Sequence, residues 1–229
     1  MRITHKLLIL LSGVAALLAL AGPFASAARA ADPQPCQRLN AALDQDQRRK
    51  ANAWLHQEFP GPDFTIAFSC RVDAKRVAVA VSDFGGLQSS VYVLDISGDA
   101  AQPRKVLEGA VESPVVLRRP SGAFDLFFVQ QQPDKGLLLR SYRVVGLEGG
   151  QVDTLFEAHF DNQSRGCAYA GPAGVPRVLM AAAVRFADMN KDGTPDIVID
   201  REIQDCASGK SQRADQVFLA TPQGWRPRP

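Results

Sequence analysis

The chain has few of the residues and none of the short motifs that announce common chemistries. Three histidines, four cysteines and two tryptophans are spread over 229 residues. No Gly-x-Ser-x-Gly elbow, His-Glu-x-x-His pair or glycine-rich phosphate loop occurs. Asp83-Phe84-Gly85-Gly86 has the glycines of a nucleotide loop, but no Lys-Ser/Thr follows and it reads as a turn. There is no Cys-x-x-Cys, and past the first thirty residues the only histidines are His56 and His159, which argues against zinc. Positive charge is also lacking: 26 Lys and Arg stand against 24 Asp and Glu. Nucleic-acid binding needs a basic excess, so no such partner is expected, and Arg48-Arg49-Lys50 reads as a solvated helix face. Beyond the amino terminus no apolar run approaches the roughly 20 residues of a spanning helix.

What is present begins with a leader. Arg2 and Lys6 precede an apolar run from Leu7 to Ala21, and small residues at Ala25-Ser26-Ala27 or Ala28-Arg29-Ala30 offer cleavage sites, so residues 1–30 read as a cleaved signal peptide. The remainder is expected in the periplasm or outside the cell. Cys36, Cys70, Cys167 and Cys206 form an even set in an exported chain, which implies two disulfides. Of three possible pairings, Cys36 with Cys70 and Cys167 with Cys206 are favoured because both close loops of moderate length.

Residues 31–62 read as a helical segment. Leu39 and Leu43 share a face, Asp44 followed by Gln47 resembles a capping box, and Ala51, Trp54 and Leu55 continue the stripe until Pro60-Gly61-Pro62 ends it. From residue 63 to 229 the texture changes to short apolar runs broken by Gly, Pro, Asp and Ser. Three groups of four strands are expected. The first has Phe64 to Cys70, Val77 to Ser82, Val91 to Ile96 and Lys105 to Leu107. The second has Pro114 to Leu117, Phe124 to Gln130, Leu137 to Val145 and Val152 to Phe156. The third has Val178 to Ala187, Asp196 to Asp200, Gln216 to Ala220 and a short end at Trp225.

The most informative stretch is Asp188-Met189-Asn190-Lys191-Asp192-Gly193-Thr194-Pro195-Asp196, running into Ile197-Val198-Ile199. Oxygen-bearing side chains at alternate positions, a glycine for the sharp turn and a further acid describe a loop that curls around a hard cation. An EF-hand is excluded, since the twelfth position is Ile199 and the flanks are β-branched. This loop between two strands resembles the FG-GAP and VCBS repeats of integrin-type β-propellers. The resemblance continues through Gln216-Val217-Phe218-Leu219 and Gln223-Gly224-Trp225, about the last 45 residues. It implies one structural calcium, with Asp188, Asn190, Asp192 and Asp196 as side-chain ligands and the Thr194 carbonyl as the main-chain one.

Degenerate copies support a repeat. Gly193-x-x-Asp196-Ile197-Val198-Ile199 has a counterpart in Gly122-x-x-Asp125-Leu126-Phe127-Phe128, and Val91-Tyr92-Val93 with Gly98 mirrors Val217-Phe218-Leu219 with Gly224. In the second copy Leu117, Arg119 and Ser121 stand where the third has Asp188, Asn190 and Asp192, so only one loop suits a metal. The expected fold is mainly β: three four-stranded antiparallel meanders, propeller-like and open or incomplete, with the helix packed on the sheets. With no catalytic constellation, the expected function is a calcium-stabilised, non-catalytic module that binds a protein or envelope glycan, with Arg165 and Tyr169 in the loop from Asp161 to Pro176 as candidate ligand contacts. A periplasmic inhibitor or immunity-type protein is the alternative, and a secreted hydrolase the third reading.

Overall fold

The computed structural model describes residues 32–83, 89–134, 137–160 and 178–229. Two short strands come first, β1 (Gln34–Pro35) and β2 (Gln37–Arg38), followed by helix α1 (Gln45–Glu58). Asp44 caps the helix reciprocally, as expected. Its carboxylate accepts from the Gln47 N–H at 2.9 Å, while the Gln47 side chain accepts from the Asp44 N–H at 3.1 Å. Within the segment 31–62 read as helical, the helix covers only Gln45–Glu58. Cys36 is bonded to Cys70, its N–H donates to the Pro114 carbonyl, and Leu39 has a φ of 55° and lies exposed. Tethering to two sheets holds this stretch extended, and the helix begins only at the cap.

A meander follows: β3 (Phe64–Arg71), β4 (Arg76–Asp83), β5 (Ser89–Asp95) and β6 (Gln102–Glu108). A second comprises β7 (Glu112–Arg118), β8 (Phe124–Asp134), β9 (Leu137–Gly146) and β10 (Val152–Phe160). The third comprises β11 (Val178–Ala187), β12 (Asp196–Asp205), β13 (Ser211–Thr221) and β14 (Gly224–Pro227). All pairings are antiparallel among the described residues. The first and second sheets have five strands rather than the expected four, because β2 adds to the edge at β3 and β1 to the edge at β7.

The sheets stack face to face. Val77, Val79, Val81, Tyr92 and Leu94 of the first sheet pack under Ala51, Trp54 and Leu55 of the helix. The opposite face, with Ala78, Ala80, Val91 and Val93, meets Val116, Leu126, Phe128 and Val145 of the second sheet. The second sheet's other face, with Leu117, Phe127, Val129, Tyr142 and Val144, meets Ile197, Ile199 and Phe218 of the third. Strands β4 and β8 therefore bury both faces, which is why they read as continuous apolar runs rather than alternating ones. Each fully buried aliphatic side chain in these layers contributes about 1.5 to 3 kcal/mol.

The third sheet ends the stack differently. Its outward face carries Arg185 3.0 Å from Asp200 and 3.6 Å from Asp215, with Arg213 3.5 Å from Glu202. The repeats read in the sequence fall on equivalent strands: β8 and β12 are second strands of their meanders, β5 and β13 third strands.

Candidate functional site

The loop from Asp188 to Pro195 joins β11 to β12. Two residues in it adopt left-handed backbone, Lys191 at φ 62° and Gly193 at φ 88°. The second is the position where only glycine is unstrained, and it lets the chain double back within a few residues. The side chains then gather over the turn. Asp188 accepts from the Asp192 N–H at 3.0 Å and the Gly193 N–H at 2.9 Å. Asn190 Oδ1 accepts from the Asp192 N–H at 3.1 Å, and Asp192 Oδ1 from the Thr194 N–H at 2.8 Å. Asp196, fully buried, accepts from the Met189 N–H and, across the sheet, from the Ala220 N–H, both at 2.8 Å. Asp196 thus latches the loop to β13.

Among the described residues, Asp188, Asp192 and Asp196 make no ion pair. Their partners are dipoles: backbone N–H groups and the Asn190 amide, which donates to Asp192 Oδ2 at 2.8 Å. No group of three or more His, Cys, Asp and Glu side chains is placed to hold a metal among the described residues. The donor set nevertheless suits a hard cation. It is all oxygen, it includes three carboxylates, and each carboxylate oxygen that takes one N–H keeps a second lone pair. Thr194, whose carbonyl is the expected main-chain ligand, is buried at the end of the same turn.

The equivalent turn of the second sheet, between β7 and β8, runs from Arg119 to Ala123 and is closed by Arg119 N–H to Ala123 carbonyl and Gly122 N–H to Arg119 carbonyl bonds, both 2.9 Å. Here the turn supplies its own cation. Arg119 Nε lies 2.9 Å from Asp125 Oδ2, and Arg119 Nη1 donates to the Pro222 carbonyl at 3.1 Å. Trp225 of β14 donates its indole N–H to the same Asp125 carboxylate at 2.9 Å. Burial pushes the Asp125 carboxyl above its ordinary value, opposed by the Trp225 hydrogen bond and the Arg119 charge. This three-residue junction pins the last strand of the third sheet to the second. Sequence reading recognised Asp125 as a counterpart of Asp196 and Arg119 as hostile to a metal, but not that the two pair or that Trp225 joins them.

The other expected site residues divide in two. The Cys36–Cys70 disulfide is formed, joining the amino-terminal strands to β3. Cys206 is also disulfide-bonded; its expected partner Cys167 lies outside the described residues, as do Arg165, Tyr169 and the loop that carries them. Comparison with protein-family models, with curated proteins and with solved structures finds no match to this chain.

Proposed function

We propose that the chain is an exported, calcium-binding, non-catalytic interaction module of propeller-like repeats that recognises a protein or envelope glycan. The observation that carries this reading is the charge imbalance of the β11–β12 loop: three carboxylates within nine residues and, among the described residues, no ion pair to any of them. Asp188, Asn190, Asp192, Asp196 and the Thr194 carbonyl would hold the ion, which supplies positive charge that fixes the backbone of the turn. An ion held by the turn's own oxygens would be structural, its roughly six to eight positions completed by second carboxylate oxygens or water. The Cys36–Cys70 bond supports an oxidising compartment, the periplasm or the exterior.

An ion that binds the folded state and barely the unfolded one stabilises by mass action, about 2.7 kcal/mol at 100 times the dissociation constant. For a domain of this size the melting temperature should rise by roughly 5 to 10 °C between chelator and excess calcium. No shift with calcium, together with hydrolysis of a glycan or phosphoester substrate that appears only when metal is added, would replace this reading with an enzymatic one.

A further inference from the structure

Helix α1 does not cover the whole outer face of the first sheet. It stops at Glu58, Phe59 caps it, and Pro60 follows, while β4 and β5 continue. Among the described residues, a cavity of about 480 Å³ lies at this end, lined by Phe59, Phe64, Val81, Tyr92, Ser89, Ser90, Lys105, Glu108 and Gly109. That volume falls within the roughly 300 to 1,000 Å³ of small-molecule sites, which pair apolar walls with a few fixed polar groups. One side is aromatic. The Phe59 and Phe64 rings are half-buried, with centroids 4.7 Å apart and planes inclined by 31°, and Tyr92 stands 6.1 Å from Phe59.

The other side is polar and carries no net charge. Ser90 shares the helix-facing side of β5 with Tyr92. Lys105 and Glu108 pair at 3.7 Å on the open rim. A bulge in the β5–β6 ladder between Val91 and Tyr92 brings Lys105 opposite Tyr92. Bulges of this kind re-aim side chains beside sites. At the far corner Gly109 has a φ of 120°, a backbone conformation that strains any side-chain-bearing residue.

We propose that this cavity binds one ring of a neutral saccharide, its apolar face on Phe59 and Phe64 and its hydroxyls on Ser90, Lys105 and Glu108. A pocket with one cation and one anion favours a neutral guest over a charged one. A guest that must lie against phenyl rings on one side and satisfy a hydroxyl and two charged groups on the other is amphipathic in the way a sugar ring is. The inference rests on the reading of the chain as a binding module and gives its ligand a chemical class and a place. The cavity shares no residue with the calcium loop, so the two can fail separately.

The test is calorimetric titration of the exported chain with cellotriose, maltotriose and the N-acetylglucosamine trimer, with indole as an aryl control. At least one neutral trisaccharide should give a saturable heat. Ser90→Ala and Lys105→Met, both at positions that leave the core intact, should each weaken that binding about three- to tenfold while the melting temperature stays unchanged. Phe64→Ala should abolish binding; if it also lowers the melting temperature, the first two variants decide. No saturable heat from any of the three sugars, unaltered affinity in the Ser90→Ala and Lys105→Met double variant, or binding of indole alone would overturn the assignment. A negative sugar titration beside an intact calcium response would sink the saccharide site and leave the module reading in place, whereas loss of both responses would remove both.

Discussion

The β7–β8 and β11–β12 turns sit at the same place in neighbouring sheets and treat a buried aspartate in opposite ways. In the first, Asp125 faces a cation attached to the chain, the Arg119 guanidinium, and through the same carboxylate oxygen accepts a hydrogen bond from the Trp225 indole N–H. In the second, among the described residues, Asp196 accepts from backbone N–H groups alone, and two further carboxylates crowd the turn without an ion pair. The two turns hold a buried carboxylate in two different ways. The β7–β8 turn sets its own arginine against its carboxylate, whereas under the proposal an ion would play that part in the β11–β12 turn. The first couples two sheets, while the second, under the proposal, would depend on calcium in solution.

The largest effect that could break the comparison is expected at Arg119. Arg119→Met strands the buried Asp125 carboxylate and should cost about 3 to 5 kcal/mol in denaturant unfolding. Adding Asp125→Asn should recover most of that loss, because the uncompensated charge disappears. If the double variant is as unstable as Arg119→Met alone, Arg119 acts through packing and the charge-for-charge account fails. Next is Asp196→Ala, which removes the acceptor of two N–H donors, one of them on buried Ala220. At about 1 to 3 kcal/mol for a buried unsatisfied group, a total loss of about 2 to 4 kcal/mol is expected even with calcium absent. A loss within experimental error would mean the latch does not hold the loop to β13.

The smallest expected effect is a pH slope. The folded Asp125 carboxyl holds its proton above the ordinary value of 3.8. Between 3.8 and that raised value the native state binds more protons than the unfolded chain, so this contribution is complete below 3.8 and is lost as the pH rises through the folded value. The stability of the native chain relative to Asp125→Asn should therefore decline as pH is raised through this window and level off above it. A relative stability that increases with pH there would show that the Arg119 charge, and not burial, governs the carboxyl.

How much of this was legible depends on where each signal lies. The strand pattern was visible because burial leaves its mark on hydropathy, and β11 begins and ends at the residues the apolar run marks, Val178 and Ala187. Strand β12 was expected to stop at Asp200 but pairs on to Asp205, and β13 begins at Ser211 rather than Gln216. The extra length is polar, held by the ladder and by the Glu202–Arg213 pair, so it carries no apolar alternation to read. Strands β1 and β2, two residues each, are recruited by the disulfide and by edges distant in the chain. The oxygen-rich turn between β11 and β12 was legible because its side chains all lie within nine residues. The Asp125 to Trp225 contact spans 100 positions, and the aromatic cavity is assembled from a helix end and four strands. Neither could be seen before the sheets were stacked.

The central claim, that the cation of the β7–β8 turn is built in and that of the β11–β12 turn is a soluble ion, is met most directly by calcium calorimetry on the native chain and two variants. The native chain should bind one calcium per molecule with a dissociation constant of about 0.1 to 1 mM, as extracellular sites of this kind do. Asp192→Ala should show no binding, and Arg119→Met, if folded, should bind one calcium as the native chain does. An unchanged calcium heat in Asp192→Ala, or none in the native chain, would contradict the assignment.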